Sequence, residues 1–79
     1  MTNIEKYKEA FVRSLGVNEV KVEELEYQSI PEWDSVGHME LIAELENVFD
    51  IMMDTDDIID FNSYEKGKQI LIKNYNIEF

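Results

Sequence analysis

Apolar positions recur at helical spacing in three stretches of the chain and lose that spacing in between. Ile4, Tyr7, Phe11 and Leu15 stand three and four residues apart, which puts them on one face of a first helix. Thr2 or Asn3 is available to cap it, and Gly16 is placed to end it. From Val17 to Asp34 the period breaks down. Val20, Val22 and Leu25 alternate briefly, Tyr27 and Ile30 follow, and Pro31 stops any helix running through. Val20-Lys21-Val22 allows a short β stretch, but one run without a partner makes no sheet. So long a connection in a compact domain is usually functional or pinned by its own apolar residues, and Leu25 and Ile30 are the expected pins.

A second helix is predicted from Ser35 to Asp50. Residues placed at 100° intervals bring Leu41, Ile42, Leu45, Val48 and Phe49 onto one broad face, which belongs in the core. The opposite face carries Val36, Met39, Glu40, Ala43, Glu44, Glu46, Asn47 and Asp50. Apolar residues embedded in this acidic face are more than a purely solvated face needs. Asp54 or Thr55 caps a short third helix over Asp56 to Ile59. Ser63 caps a fourth, with Tyr64, Gly67, Leu71 and Tyr75 as its stripe. The segment from Asn76 to Phe79 is expected to fray. These elements predict an all-α fold: a small four-helix bundle of three longer helices and one short, with a long loop between the first two, forming a single domain over residues 1–79. Tyr7, Phe11, Phe49, Phe61 and Tyr64 are its expected core aromatics, and Trp33 is expected to fold over the start of the second helix.

Composition narrows what such a bundle can do. The 79 residues hold 7 Lys plus Arg against 18 Asp plus Glu, a formal net charge of -11. That balance repels nucleic acid and anionic membrane, and favours basic protein partners or cations. The hydrophobic share of 44% is too high for an acidic disordered tail. With no Cys and one His, disulfides, thiolate metal sites and a thiol nucleophile are all excluded, and an all-protein zinc site has too few ligands. No apolar stretch reaches the length of a membrane span and the N-terminal residues lack a signal core, so a soluble, cytoplasmic monomer is the expectation. No acid/base pair and no nucleophile with its base is recognisable, which argues against an enzyme.

The most informative stretch is Pro31-Glu32-Trp33-Asp34-Ser35-Val36-Gly37-His38-Met39-Glu40-Leu41. Leu45-Glu46-Asn47-Val48-Phe49 follows about ten residues beyond the serine, then Ile51, the acidic segment Asp54 to Ile58, and Ser63-Tyr64. In this order and spacing, over nearly the whole chain, the sequence resembles the acyl carrier protein family. The resemblance implies that Ser35 is the attachment point for 4'-phosphopantetheine taken from coenzyme A, and that an acyl group rides on the arm as a thioester. It implies a phosphopantetheinyl transferase, an acyl-loading ligase or transferase, and a downstream synthase or acyltransferase with a basic patch as partners. Trp33 before the Asp and Gly37-His38 after the serine look more like stand-alone carriers of accessory pathways than central fatty-acid carriers. An acyl cargo ranks above an aminoacyl cargo of peptidyl or D-alanyl type.

The residues support this on physical grounds of their own. A hydroxyl in the first turn of a helix is exposed, and a phosphodiester there sits near unpaired N–H groups and the positive end of the dipole. Gly37, lacking a side chain, leaves room for the phosphate and a modifying enzyme. Asp34 reads either as the helix cap or, by resemblance, as a residue that helps the transferase bind. From local sequence alone Ser35 is an ordinary cap, and the family-wide match favours modification instead. Val36, Met39 and Ala43, ringed by Glu40, Glu44, Glu46 and Asp50, suit a small apolar interface with a charged rim. His38 points toward the core-facing half of the helix as a packing or hydrogen-bonding residue. Asp54, Asp56, Asp57 and Asp60 lack the spacing of a calcium loop. The rival of a different class is a permanently unmodified acidic adaptor that binds a basic partner through helix two.

Overall fold

A computed structural model describes all residues from Met1 to Phe79 and contains four α-helices: α1 (Asn3–Leu15), α2 (Ser35–Phe49), α3 (Thr55–Asp60) and α4 (Tyr64–Tyr75). The all-α expectation holds. α1 opens on a capping box. Glu5 N donates to Thr2 Oγ1 at 3.2 Å, and Thr2 N donates back to Glu5 Oε1 at 2.9 Å. The Thr2 amide and then its hydroxyl hold the Glu5 carboxyl below the ordinary 4.5. The helix ends at Gly16, whose φ of 66° is left-handed and whose N–H donates to Val12 O at 2.9 Å. Ser63 caps α4 by accepting from Lys66 N at 2.9 Å.

The connection from α1 to α2 contains a 3-10 helix over Glu19–Glu24, where the alternation of valines had allowed a β stretch. Asn18 caps this turn, accepting from Val20 N at 2.9 Å. In a 3-10 helix residues three apart share a face, so Val22 and Leu25 are both buried while Val20 is 86% exposed. Leu25 pins the loop as expected, but Ile30 is only half-buried. Backbone bonds to the start of α4 complete the anchoring: Tyr27 N donates to Asn62 O at 2.8 Å, and Tyr64 N to Leu25 O at 2.9 Å.

One hydrophobic cluster joins these pieces, and it contains no buried charged side chain. Its centre is aromatic. Phe11 meets Tyr7 edge-on at 5.1 Å and Trp33 edge-on at 5.5 Å, and Tyr64 packs on Tyr7 at 4.8 Å. Trp33 is fully buried, a core residue rather than a cover over the helix start. Phe61 is seated against Gly67, where any side chain would drive into its ring. Phe49 is half-buried at the margin. The C-terminal segment is packed instead of frayed: Ile77 N donates to Leu71 O at 3.1 Å, Asn3 Nδ2 donates to Glu78 O at 2.9 Å, and the Phe79 ring rests 5.3 Å from Tyr7. No helix is long and apolar enough to cross a membrane.

α3 buries no residue completely and is held by polar bonds at both ends. Tyr75 Oη donates to Asp57 Oδ2 at 2.7 Å and accepts from Asp54 N at 2.8 Å, while Asn74 Nδ2 donates to Asp57 Oδ1 at 2.9 Å. Burial raises the Tyr75 phenol, with the Asp57 carboxylate adding to the effect.

Two buried phenols set the alkaline limit of the fold. Tyr7 Oη donates to the Tyr64 carbonyl at 2.6 Å, whereas Tyr64 Oη is buried with no partner. Burial pushes the Tyr7 phenol well above the ordinary 10.0 and the Tyr64 phenol up to about 12. The folded state thus favours the neutral phenols, so the stability they contribute is intact below pH 10 and is lost as pH rises through about 12. Chemical denaturation followed by circular dichroism should give a midpoint that is flat up to pH 10 and falls steadily above it. Tyr64→Phe removes an unsatisfied hydroxyl, so at neutral pH it should be neutral or stabilising by about 1 kcal/mol, and its decline above pH 10 should be shallower, with Tyr7 still contributing.

Candidate functional site at the start of helix two

The chain approaches α2 through a tight loop that the indole of Trp33 fixes. Gln28, at a left-handed φ of 65°, donates its N–H to Trp33 O at 2.9 Å. Trp33 Nε1 donates to His38 Nδ1 at 2.9 Å, and His38 Nε2 lies 2.8 Å from Ile58 O. Because the indole can only donate, Nδ1 of His38 is the bare nitrogen and Nε2 carries the proton it donates to Ile58. The two ring planes lie within 17° of each other, with centroids 6.2 Å apart. His38 therefore has the hydrogen-bonding role expected of it, and links the loop, α2 and α3 next to Ser35.

Asp34 is the cap of α2. Its Oδ1 accepts from Gly37 N at 2.8 Å, and its carbonyl accepts from His38 N at 2.8 Å. Ser35 is consequently the first helical residue and not the cap. It is exposed, and its hydroxyl makes no hydrogen bond within the fold. The Ser35 and Val36 amides have no intrahelical acceptor, as in the first turn of any helix.

Gly37 requires a correction. It is buried and its missing side chain faces inward, where a methyl group would drive into the Glu32 carbonyl and press on Leu15. The glycine lets the loop and α1 close against α2; it does not open the surface to an approaching phosphate.

The outer face of α2 is narrower than the helical wheel implies. Val36 is 66% and Met39 54% exposed, and Glu40, Ala43 and Asp50 are exposed with them. Asp50 takes a left-handed φ of 53° and ends the helix. The flanking glutamates are half-buried and engaged: Glu44 lies 3.6 Å from Arg13 of α1, and Glu46 Oε2 accepts from Met53 N at 2.8 Å. Glu46 thus organises the turn after α2, where the wheel had placed it among the rim charges. No Lys or Arg stands between Lys21 and Lys66, and Arg13 of α1 meets this face only at its Glu44 edge.

Beside Ser35 lies an open, mostly apolar groove of about 350 Å³, walled by Tyr27, His38 and Met39 on one side and Ile58, Ile59 and Phe61 on the other. Tyr27 and Ile59 were missed by sequence reasoning. They line the groove from the loop and from α3, so the periodicity of α2 holds no signal for them. The acidic run at α3 is partly used internally, since Asp57 is bound by Tyr75 and Asn74, and no group of three or more His, Asp or Glu side chains is arranged to hold a metal ion. Comparisons with known protein families, with characterised proteins and with solved structures return no match.

Gly37→Ala should lower stability by about 1 to 3 kcal/mol because backbone has to move to admit the methyl, seen as a drop of several degrees in thermal melting. Two charge reversals should separate the face from its edge. Glu40→Lys, on the exposed face, should leave the melting temperature within about 0.5 kcal/mol equivalent. Glu46→Lys should destabilise by about 1 to 3 kcal/mol, because the Met53 amide loses its acceptor.

Proposed function

We propose that this protein is a carrier whose Ser35 bears a 4'-phosphopantetheine arm, and that the arm holds an acyl group as a thioester for delivery to partner enzymes. The observation that carries the reading is the division of labour at the start of α2. Asp34 satisfies the helix, which leaves the Ser35 hydroxyl exposed and unbonded on a fixed scaffold. A serine that merely capped the helix would turn its hydroxyl back onto the amide that Asp34 already holds.

The residues fit the group. In the transfer, Ser35 Oγ forms a new bond to the pantetheine-side phosphorus of coenzyme A. The pyrophosphate linkage breaks, adenosine 3',5'-bisphosphate leaves, and the serine proton passes to a base of the transferase or to water. The phosphodiester then lies by the free first-turn amides and the positive end of the helix dipole. When bound, the arm supplies a thiol, which a chain without cysteine cannot provide. Val36 and Met39, with Glu40 beside them and Asp50 at the far end of α2, form the docking face for the transferase, the loading enzyme and the acceptor enzyme. Charge steering and a small apolar centre suit contacts that form fast and release fast. The net charge and the face oppose nucleic acid, and the chain acts as a substrate of enzymes rather than as one.

Incubation with coenzyme A, magnesium and a broad phosphopantetheinyl transferase, read by intact mass, tests this. One phosphopantetheine addition, absent in Ser35→Ala, is expected. No addition with several transferases overturns the carrier reading and leaves the acidic adaptor.

A further inference from the structure

His38 stands three residues beyond Ser35 on α2, with one ring nitrogen bonded to the loop before the serine and the other to α3. Neither neighbour has much else to hold it. Trp33 is the only buried residue from Gln28 to Asp34. Its indole N–H donates to His38 Nδ1 at 2.9 Å, and its carbonyl accepts from Gln28 N at 2.9 Å, so the loop that delivers Asp34 and Ser35 closes on a ring that His38 fixes. α3 buries no residue, and its side-chain bonds to other helices are those of Tyr75 and Asn74 near its start and that of His38 Nε2 at Ile58 O, 2.8 Å long. The core depends on the imidazole far less. His38 is itself only half-buried, and the Trp33 ring is packed edge-on against Phe11 at 5.5 Å whether or not its N–H is bonded. Losing the two His38 bonds therefore loosens the loop and α3 without emptying the core.

We infer that His38 is a positioning residue for transfer of the arm to Ser35, an inference that rests on the carrier reading: its two bonds hold the loop and α3 in the arrangement that a transferase docked on α2 meets. A loosened loop has to be ordered again at each encounter, which costs binding. Ser35 Oγ and the reacting atoms are the same once the complex has formed. The expected signature of losing His38 is thus a higher KM for the carrier at an unchanged kcat.

The test measures initial rates of phosphopantetheine transfer from coenzyme A by one broad transferase over a range of carrier concentrations, read by intact mass, with circular dichroism and thermal melting run on every variant. His38→Leu removes both bonds and should raise KM about tenfold, and Trp33→Phe removes only the indole N–H and should raise it about threefold, with kcat within about twofold of wild type in both. His38→Gln keeps one acceptor and one donor on a planar group, so its KM should stay within about twofold of wild type. Ile70→Ala, which empties buried volume on α4, should lower the melting temperature at least as far as His38→Leu does and leave KM unchanged. Should His38→Leu fail to fold, Trp33→Phe and His38→Gln carry the comparison. Wild-type KM in the folded bond-breaking variants, a KM that follows the melting temperature through Ile70→Ala, a His38→Gln as impaired as the bond-breaking variants, or a loss confined to kcat overturns the positioning role and leaves the carrier reading standing. No addition to the wild-type protein by several transferases overturns both.

Discussion

The indole N–H of Trp33 can only donate, and it lies inside a core that offers it one acceptor. Left unpaired, such a group costs about 1 to 3 kcal/mol, a large share of what holds so small a domain. His38 Nδ1 is that acceptor. Supplying it commits the imidazole to the Nε2–H tautomer, and that proton in turn finds the Ile58 carbonyl. One ring thus sets three things at once: the loop before the serine, the rotation of α2 about its first turn, and the position of a short helix that buries too little of itself to dock by packing. The exposed serine and the groove beside it keep their geometry because this chain of bonds keeps it for them.

The acidic charge is tolerated because the fold never buries it. Every carboxylate stays at the surface, and the ones nearest the bundle seam are assigned to local donors: Glu5 to the Thr2 amide, Glu46 to the Met53 amide, Asp57 to Tyr75 and Asn74. Charge-assisted bonds of this kind order turns that have few apolar anchors. Glu40 and Asp50 have no such partner and lie on the outer face and at the end of α2, where repulsion is relieved by solvent, salt or a positively charged partner.

Periodicity was sufficient for the helices because each long one presents a continuous apolar stripe and a local stop, as Leu15 followed by Gly16 or Phe49 followed by Asp50. The Asp34 cap was legible for the same reason: capping is settled within three residues. What escaped the sequence depends on partners far along the chain. Whether Val20 and Val22 alternate as a strand or turn as a 3-10 helix is decided by the Leu25 and Tyr27 backbone bonds to α4. Trp33 enters the core because an acceptor waits on His38, and Gly37 faces the Glu32 carbonyl only because the loop closes there. The end of the chain reads as a short, fraying tail, yet Phe79 finds Tyr7, seventy-two positions earlier in sequence and 5.3 Å away in space. Glu46 sits at the edge of the helical wheel, where a one-dimensional pattern cannot distinguish a rim charge from a carboxylate that holds the next turn.

Met39 belongs to two surfaces. It is half-exposed on the outer face of α2, beside Val36 and Glu40, and it also walls the groove opposite Ile59. On the carrier reading these surfaces cannot be occupied independently. A partner that buries Met39 also changes the groove wall, and whatever binds in the groove changes the apolar centre the partner meets, by the same free energy in each direction. The side chain at this junction is an unbranched thioether, able to repack against different neighbours at little cost. Met39 thus stands where the two surfaces meet, one turn of helix beyond Ser35.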